Sequence, residues 1–357
     1  MGRPASPPVA KFDARTSGLW AGRQPGKGLI AVKAIRQRAF GGPEELLFEE
    51  IPDPQPRQRE VRIRVESAGV HLLDTVIRKG QGNPRVMPTL PMTPGREVAG
   101  VVDAIGPGVD RAVLGRRVVV DLGVASGGYA ELALAEAASL HEIPDSLDAD
   151  RAVTMIGTGR TTMAILELAA LRPGDVVVVT AAAGGIGTLL VQAADAAGAM
   201  VIGAAGGQKK TTLVRNLGAT SAVDYLERDW AQRARSAAGD RLATLVLDGV
   251  GGDIGRAAMG LLGVGGRLVM YGSSSGSLID LSADDLYRLG ITASAAIGSR
   301  ILQRPGGLRD LETRALREAA ERRLTPVVGQ RYSLADAAVA HTAVESRSTT
   351  GKTVLRP

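Results

Sequence analysis

The chain has 357 residues, 45% hydrophobic and 3% aromatic, enough for two domains of ordinary size. Of its net charge of +6, Arg3, Lys11, Arg15, Arg23 and Lys27 against Asp13 place +4 in residues 1–31, so the body carries +2 and lacks the basic face of a nucleic-acid binder. Cysteine is absent and His71, His141 and His341 are the only imidazoles, which excludes disulfides, thiolate nucleophiles, iron–sulfur clusters and a four-cysteine zinc lobe, and argues against a histidine-rich metal site.

Residues 1–31 hold four prolines and five glycines without a hydrophobic period and read as a disordered extension. Three accounts stay open for it: a dispensable tail or a start misassigned upstream of Val32, an organelle transit peptide, or a binding arm. Only seven of the 43 basic residues are lysine, a bias that suits a GC-rich bacterial genome, where a transit peptide has no destination. The N-terminus lacks the apolar core of a signal peptide and no stretch of 18 apolar residues occurs, so a soluble, cytoplasmic protein is expected.

Short β runs broken by Gly and Pro follow at 32–40, 46–51, 61–70, 97–105, 117–121 and 129–134, predicting a β-rich barrel or sandwich. From about residue 148 to 298 the pattern changes to helices alternating with apolar strands at 176–180, 200–204, 244–247 and 267–271. Uninterrupted apolar strands between helices predict a parallel sheet covered on both faces. An amphipathic helix over 304–323, a strand-like 325–332, a helix over 334–346 and a last strand at 352–355 are expected to rejoin the β-rich half. The fold class is thus α/β, with a doubly wound Rossmann domain over 156–298 and a β-rich domain from 32–155 and 299–357.

The strongest motif runs from Val176 through Ala181-Ala182-Ala183-Gly184-Gly185-Ile186-Gly187 into a helix over 188–197. A strand ending in such a turn leaves unpaired N–H groups at a helix N-terminus, where a pyrophosphate binds. Glycines 184 and 185 let the phosphates approach and Gly187 permits tight helix–strand contact, although alanine replaces the first glycine of G-x-G-x-x-G. The next strand ends in Ala205-Gly206-Gly207-Gln208-Lys209-Lys210, where an NAD site would carry an acid. Two lysines there favour a 2′-phosphate, and hence NADPH, over solvated charges that would oppose the helix dipole.

Taken together, Ser67-Ala68-Gly69-Val70-His71-Leu72-Leu73-Asp74, Pro94-Gly95-Arg96-Glu97-Val98-Ala99-Gly100, Gly127-Gly128-Tyr129-Ala130-Glu131, the glycine-rich turn, Leu247-Asp248-Gly249-Val250-Gly251-Gly252 and Thr350-Gly351-Lys352 make residues 32–357 resemble one known group. It is the zinc-free quinone oxidoreductase, or zeta-crystallin-like, branch of the medium-chain dehydrogenase/reductase superfamily. The resemblance implies a GroES-like catalytic domain with a Rossmann domain inserted near its C-terminal end and the active site between them. It also implies a homodimer paired through Rossmann edge strands, for which 291–297 is the candidate. Where the zinc-dependent branch has His-Glu, this chain has Arg96-Glu97, so hydride delivery to an activated acceptor, a quinone or an α,β-unsaturated carbonyl, is the expected chemistry.

By the same resemblance Lys210 contacts the adenosine 2′-phosphate and Tyr225 flanks it, while Thr161 and the Tyr271-Gly272 backbone lie at the nicotinamide. Ala183, Gly184, Gly185, Ile186, Gly206, Val250, Ser273 and Lys352 complete the expected cofactor contacts. His71 stands where many relatives carry asparagine facing the nicotinamide; an imidazole there either donates the proton that completes enone reduction or fills the asparagine's hydrogen-bonding role. Tyr129 is the second candidate catalytic group, with packing as its competing role, and Asp74 reads as a strut for the helix over 72–78. The loop 79–94 lacks the family's pocket tyrosine, and its Val86, Met87, Leu90 and Met92 are expected to form an apolar wall suited to aliphatic enones, or a core or dimer contact. Two other readings remain: an enoyl-thioester or secondary-metabolism tailoring reductase of the same fold, and a non-catalytic NADPH-binding or RNA-binding relative.

Overall fold

The computed structural model describes residues 31–81 and 87–357. Of the extension expected to be disordered over 1–31, residues 1–30 lie outside the described residues and Ala31 opens the first strand; Val86 of the apolar wall also lies outside them. Strand β1 (Ala31–Arg36) pairs antiparallel with β2 (Leu47–Pro52). The long β3 (Glu60–Val70) leads into helix α1 (Leu72–Arg78), and β4 (Glu97–Ile105), β5 (Arg117–Asp121), β6 (Leu132–Glu136) and β7 (His141–Glu142) follow. All pair antiparallel, with β3 between β4 and β6. Their inward faces, Val61, Ile63, Val98 and Val118 among them, are buried, as period-2 alternation demands.

The crossing to the second half is a helix rather than a loop. Helix α2 (Ala149–Thr154) continues through a π turn, Met155–Gly159, into α3 (Arg160–Ala169). Gly157 and Gly159 lack the propensity to hold a regular turn, and Thr161 and Thr162 donate their hydroxyls back to the carbonyls of Gly157 and Thr158, both at 2.9 Å.

The second half alternates strand and helix: β8 (Val176–Val179), α4 (Gly185–Ala196), β9 (Met200–Ala205), α5 (Gln208–Asn216), β10 (Ser221–Asp224), α6 (Trp230–Ala237), β11 (Ala243–Asp248), α7 (Gly252–Met259), β12 (Leu262–Met270), α8 (Ala283–Leu289) and β13 (Thr292–Ala295). The sheet is wholly parallel in the order β10-β9-β8-β11-β12-β13. This is the doubly wound Rossmann arrangement, with its switch point between β8 and β11. All four valines of β8 are fully buried, each contributing about 1.5–3 kcal/mol by leaving water. At Gly187 a Cβ would stand 2.2 Å from Ala181 O, so only glycine lets α4 pack this closely on β8.

After α9 (Ser299–Leu302) and α10 (Gly307–Ala320) come β14 (Val328–Ser333), α11 (Ala337–Glu345) and β15 (Lys352–Arg356). β14 and β15 join the antiparallel sheet through β3. Helix α10 packs on the β-rich half and on the connecting helix together. Leu311, Ala315, Leu316 and Ala319 share a core with Met155, Ile156 and Met163 of the connecting helix, with Leu189 of α4 and with Ala99 and Val119 of the antiparallel sheet. An amphipathic stripe does not specify which of two neighbouring surfaces will cover it. No helix among the described residues is long and apolar enough to cross a membrane.

Candidate active site

The carboxyl ends of β8, β9, β11 and β12 open on one edge, where the glycine-rich turn bends into α4. Gly184 caps the helix and Gly185 and Ile186 form its first turn, so their N–H groups lack intrahelical partners. Ala181 takes φ +48° to start the turn and Ala183 is buried behind it. Gly351 N donates to Ala183 O at 2.7 Å, and Gly351 bridges Gly184 in parallel. The segment entering β15 therefore lies against the turn, bringing the antiparallel half to the Rossmann half.

At the end of β9, the Tyr225 ring lies over Gly206, and Lys210 in the first turn of α5 donates Nζ to the carbonyl of Arg347. Arg347, at the C-terminus of α11, in turn donates to Ser274 O across the groove. Burial and the neighbouring Arg347 guanidinium push the Lys210 ammonium below its ordinary range. Burial raises the Tyr225 phenol, and the Arg347 charge opposes the shift. Among the described residues no carboxylate pairs with Lys210 or Arg347, and two such cations beside a phenol suit a phosphate group. Arg347 is the member the sequence reading missed; a lone arginine before Thr350-Gly351-Lys352 carries no signal until the fold returns it to α5.

At the switch point, Thr180 Oγ1 donates to the buried Asp248 at 2.6 Å, and Asp248 accepts from the N–H groups of Val250 (3.2 Å) and Gly251 (2.9 Å). Tyr271 is buried, its hydroxyl donating to Thr180 O at 3.0 Å; Gly272 closes on Gly249, and Ser273 is exposed on the loop beyond. These groups fix the strand-end backbone. The Thr161 hydroxyl is engaged within its own helix; Thr158, one turn earlier, is the threonine against Gly185.

Where the halves meet, three side chains converge. His71, at the N-cap of α1, places Nε2 2.6 Å from Glu97 Oε2 and 2.7 Å from Lys352 Nζ, and Lys352 Nζ donates to Glu97 Oε2 at 2.9 Å. Glu97 and Lys352 are each about 3% exposed at their side chains, whereas His71 is 27% exposed. Burial alone would raise the Glu97 carboxyl, but the His71 and Lys352 charges and hydrogen bonds prevail and hold it well below the carboxylate range. Gly157 of the π turn admits this carboxylate, since a Cβ there would overlap Glu97 Oε1. The Lys352 ammonium turns to Glu97, His71 and Thr158, and Thr158 in turn lies against Gly185 of the glycine-rich turn.

Tyr129 takes the packing role that competed with a pocket hydroxyl. Its side chain is fully buried in the antiparallel half, donating to Asp74 Oδ2 at 3.2 Å and standing edge-on to His341, whose Nε2 is 3.2 Å from the phenol oxygen. Asp74 also accepts from the His71 N–H at 2.8 Å, so Tyr129 and Asp74 brace the turn that carries His71. Burial, with the Arg78 charge adding and Asp74 and Glu345 opposing, lowers His341 to about 4. Between pH 6.5 and 4 the unfolded chain binds this proton and the folded chain does not, so stability falls as the pH drops through that window. The expected loss is about 2–3 kcal/mol by pH 4. Denaturation of wild type and His341→Gln against pH checks it: the variant should lack that part of the acid limb, and parallel curves would contradict the assignment.

A β-rich half with a GroES-like sheet, fused to a Rossmann sheet whose glycine-rich turn faces the junction, defines a dinucleotide-dependent dehydrogenase or reductase architecture. Residues 57–145 match the family described as "Alcohol dehydrogenase GroES-like domain" and residues 185–313 the family described as "Zinc-binding dehydrogenase". The quinone oxidoreductase of Pseudomonas aeruginosa is 33% identical over 330 residues, covering 91% of this chain and 99% of the relative. The 2-haloacrylate reductase of a Burkholderia species is 30% identical, over 89% of this chain and 96% of its own. The crystal structure of Escherichia coli quinone oxidoreductase complexed with NADPH superposes with a TM-score of 0.81 at 28% identity, covering 91% of this chain and 100% of the other. The chain belongs to the quinone oxidoreductase branch of the medium-chain dehydrogenase/reductase superfamily. It is an oxidoreductase.

Proposed function

We propose that this protein is an NADPH-dependent, zinc-independent reductase that delivers a hydride to a quinone or to the activated C=C of an α,β-unsaturated carbonyl. The observation that carries the reading is the Gly184–Gly351 bridge. On one side of it stand the free N–H groups of α4 and the Lys210–Arg347 cations, and on the other the His71–Glu97–Lys352 group.

These residues fit the dinucleotide. The N–H groups of Gly185 and Ile186 suit the pyrophosphate, Lys210, Arg347 and Tyr225 the 2′-phosphate, and the braced backbone at Val250, Tyr271, Gly272 and Ser273 the carboxamide end. The dinucleotide, when bound, supplies the hydride. His71, the partly exposed member of its triangle, presents an imidazole to the reduced acceptor as proton donor. With no cysteine in the chain, and with Arg96 donating Nε to Gly123 O where a zinc ligand would stand, the donor set favours catalysis without zinc. Among the described residues no group of three or more His, Asp or Glu side chains is placed to hold a metal.

The Burkholderia relative's name, a reductase of a substituted acrylate, favours the activated-alkene side of the reading. Strand β13 forms an edge of the Rossmann sheet and supports a homodimer paired along it. The test is oxidation of NADPH, beside NADH, with quinones, alkyl enones and enoyl thioesters in metal-free buffer. Turnover confined to NADPH supports the reading; none with any acceptor contradicts it. Replacing His71 by Ala should slow enone reduction about tenfold or more at unchanged NADPH affinity, and an unchanged rate would remove the imidazole from the chemistry.

A further inference from the structure

His71 Nε2, Glu97 Oε2 and Lys352 Nζ form a triangle with sides of 2.6, 2.7 and 2.9 Å. One nitrogen of the imidazole faces both a carboxylate and an ammonium. An unprotonated Nε2 accepts from Lys352; a protonated one donates to Glu97. Moving a single proton from Nζ to Nε2 converts one arrangement into the other while the carboxylate stays ionised and the net charge of the three stays the same. Both arrangements keep good hydrogen bonds without any heavy atom moving. Of the three side chains only His71 is partly exposed, at 27%, while Glu97 and Lys352 are enclosed.

We propose that Lys352 is the proton source behind His71 and that Glu97 holds the two in register. The inference rests on the reductase reading above and adds the origin of its proton. Once the hydride pair has added to the β carbon of an enone, the C=C π bond is broken and an enolate remains. A ring N–H of His71 then breaks as the C–H bond at the α carbon forms, and Nε2 takes a proton from Lys352 Nζ. As product leaves, solvent reprotonates the His71 ring nitrogen that gave its proton, and Nε2 returns the other proton to the enclosed Lys352 amine, which restores the starting state. The acceptor is reduced and the dihydronicotinamide oxidised, with one proton consumed per turnover.

The charged and titratable groups around the triangle come from every element packed on it. Asp74 of α1 binds the His71 backbone, and Arg160 of α3 acts on Glu97 while it is itself paired with Asp121 and Glu312. The buried Tyr129 phenol lies within the field of Glu97, and Thr158 contacts Lys352 at 3.4 Å. None of these places a second cation against Nε2, which leaves Lys352 as the group whose removal changes the charge beside His71.

The test begins on unliganded protein by NMR titration of 15N-histidine, with His71→Ala for assignment. In Lys352→Met only the carboxylate faces Nε2, so the His71 midpoint should rise by about one pH unit or more. Lys352→Arg keeps the charge and protects folding should the methionine variant fail to fold, but a guanidinium does not release its proton near neutral pH. That variant should bind NADPH as wild type does and reduce an enone about tenfold more slowly, the loss growing as the pH rises because solvent must then supply the proton. An unmoved His71 midpoint in Lys352→Met, or a wild-type rate and pH profile in Lys352→Arg, would overturn the proposal. The NMR arm needs neither cofactor nor acceptor, so its failure is distinct from a failure of the reductase reading.

Discussion

The double substitution Lys210→Ala with Arg347→Ala should weaken NADPH binding by two to three orders of magnitude and leave NADH binding within about threefold. Each charge-assisted hydrogen bond to a phosphate contributes about 1.5–3 kcal/mol, or roughly 10- to 150-fold. NADH carries no 2′-phosphate and loses neither contact. The two residues come from different halves of the molecule, α5 of the Rossmann sheet and the end of α11, yet Lys210 donates directly to the Arg347 carbonyl. Isothermal titration with both cofactors separates the outcomes: an equal loss for NADPH and NADH would mean that the variant distorts the groove, and no loss for either would place the 2′-phosphate elsewhere.

Glu97→Ala is expected to destabilise the protein by about 3–5 kcal/mol, since it leaves the Lys352 ammonium buried without its carboxylate. Removing both partners, as Glu97→Gln with Lys352→Met, should recover a large part of that loss. The Glu97 carboxyl is held below its ordinary value of 4.5 when folded. Its contribution to stability is therefore fully present above that value and is lost as the pH falls through the lower, folded one. Urea denaturation should show the wild-type advantage over Glu97→Gln shrinking in acid. A cost below about 1 kcal/mol for Glu97→Ala at pH 7 would mean that the ion pair is wet.

The turn from Ala181 to Gly187 was legible because its chemistry is local: a buried strand, small residues and a helix start announce a phosphate cradle wherever they occur. Lys209-Lys210, at the end of the strand after the cradle, is local in the same way, and the particular contact expected of Lys210 follows from the family resemblance. The triangle was not. His71, Glu97 and Lys352 are separated by up to 281 residues, and only the antiparallel pairing of β15 with β3 and of β3 with β4 brings them within hydrogen-bond reach. Tyr129 misled for a related reason. A tyrosine beside glycines reads equally well as a pocket hydroxyl or as a buried strut, and its partners Asp74 and His341 lie 55 and 212 residues away. Periodicity placed the helix over 304–323 but only part of its docking surface, since its stripe covers the connecting helix as well as the β-rich half.

Hydride transfer from the reduced nicotinamide to an activated carbon is read from a single turnover with NADPH deuterated at the transferring position of the ring. With a simple alkyl enone in ordinary water, mass spectrometry of the product should find one deuterium, located on the β carbon, and a protium from solvent on the α carbon. A product without deuterium, or no product from protein saturated with cofactor, would contradict the account.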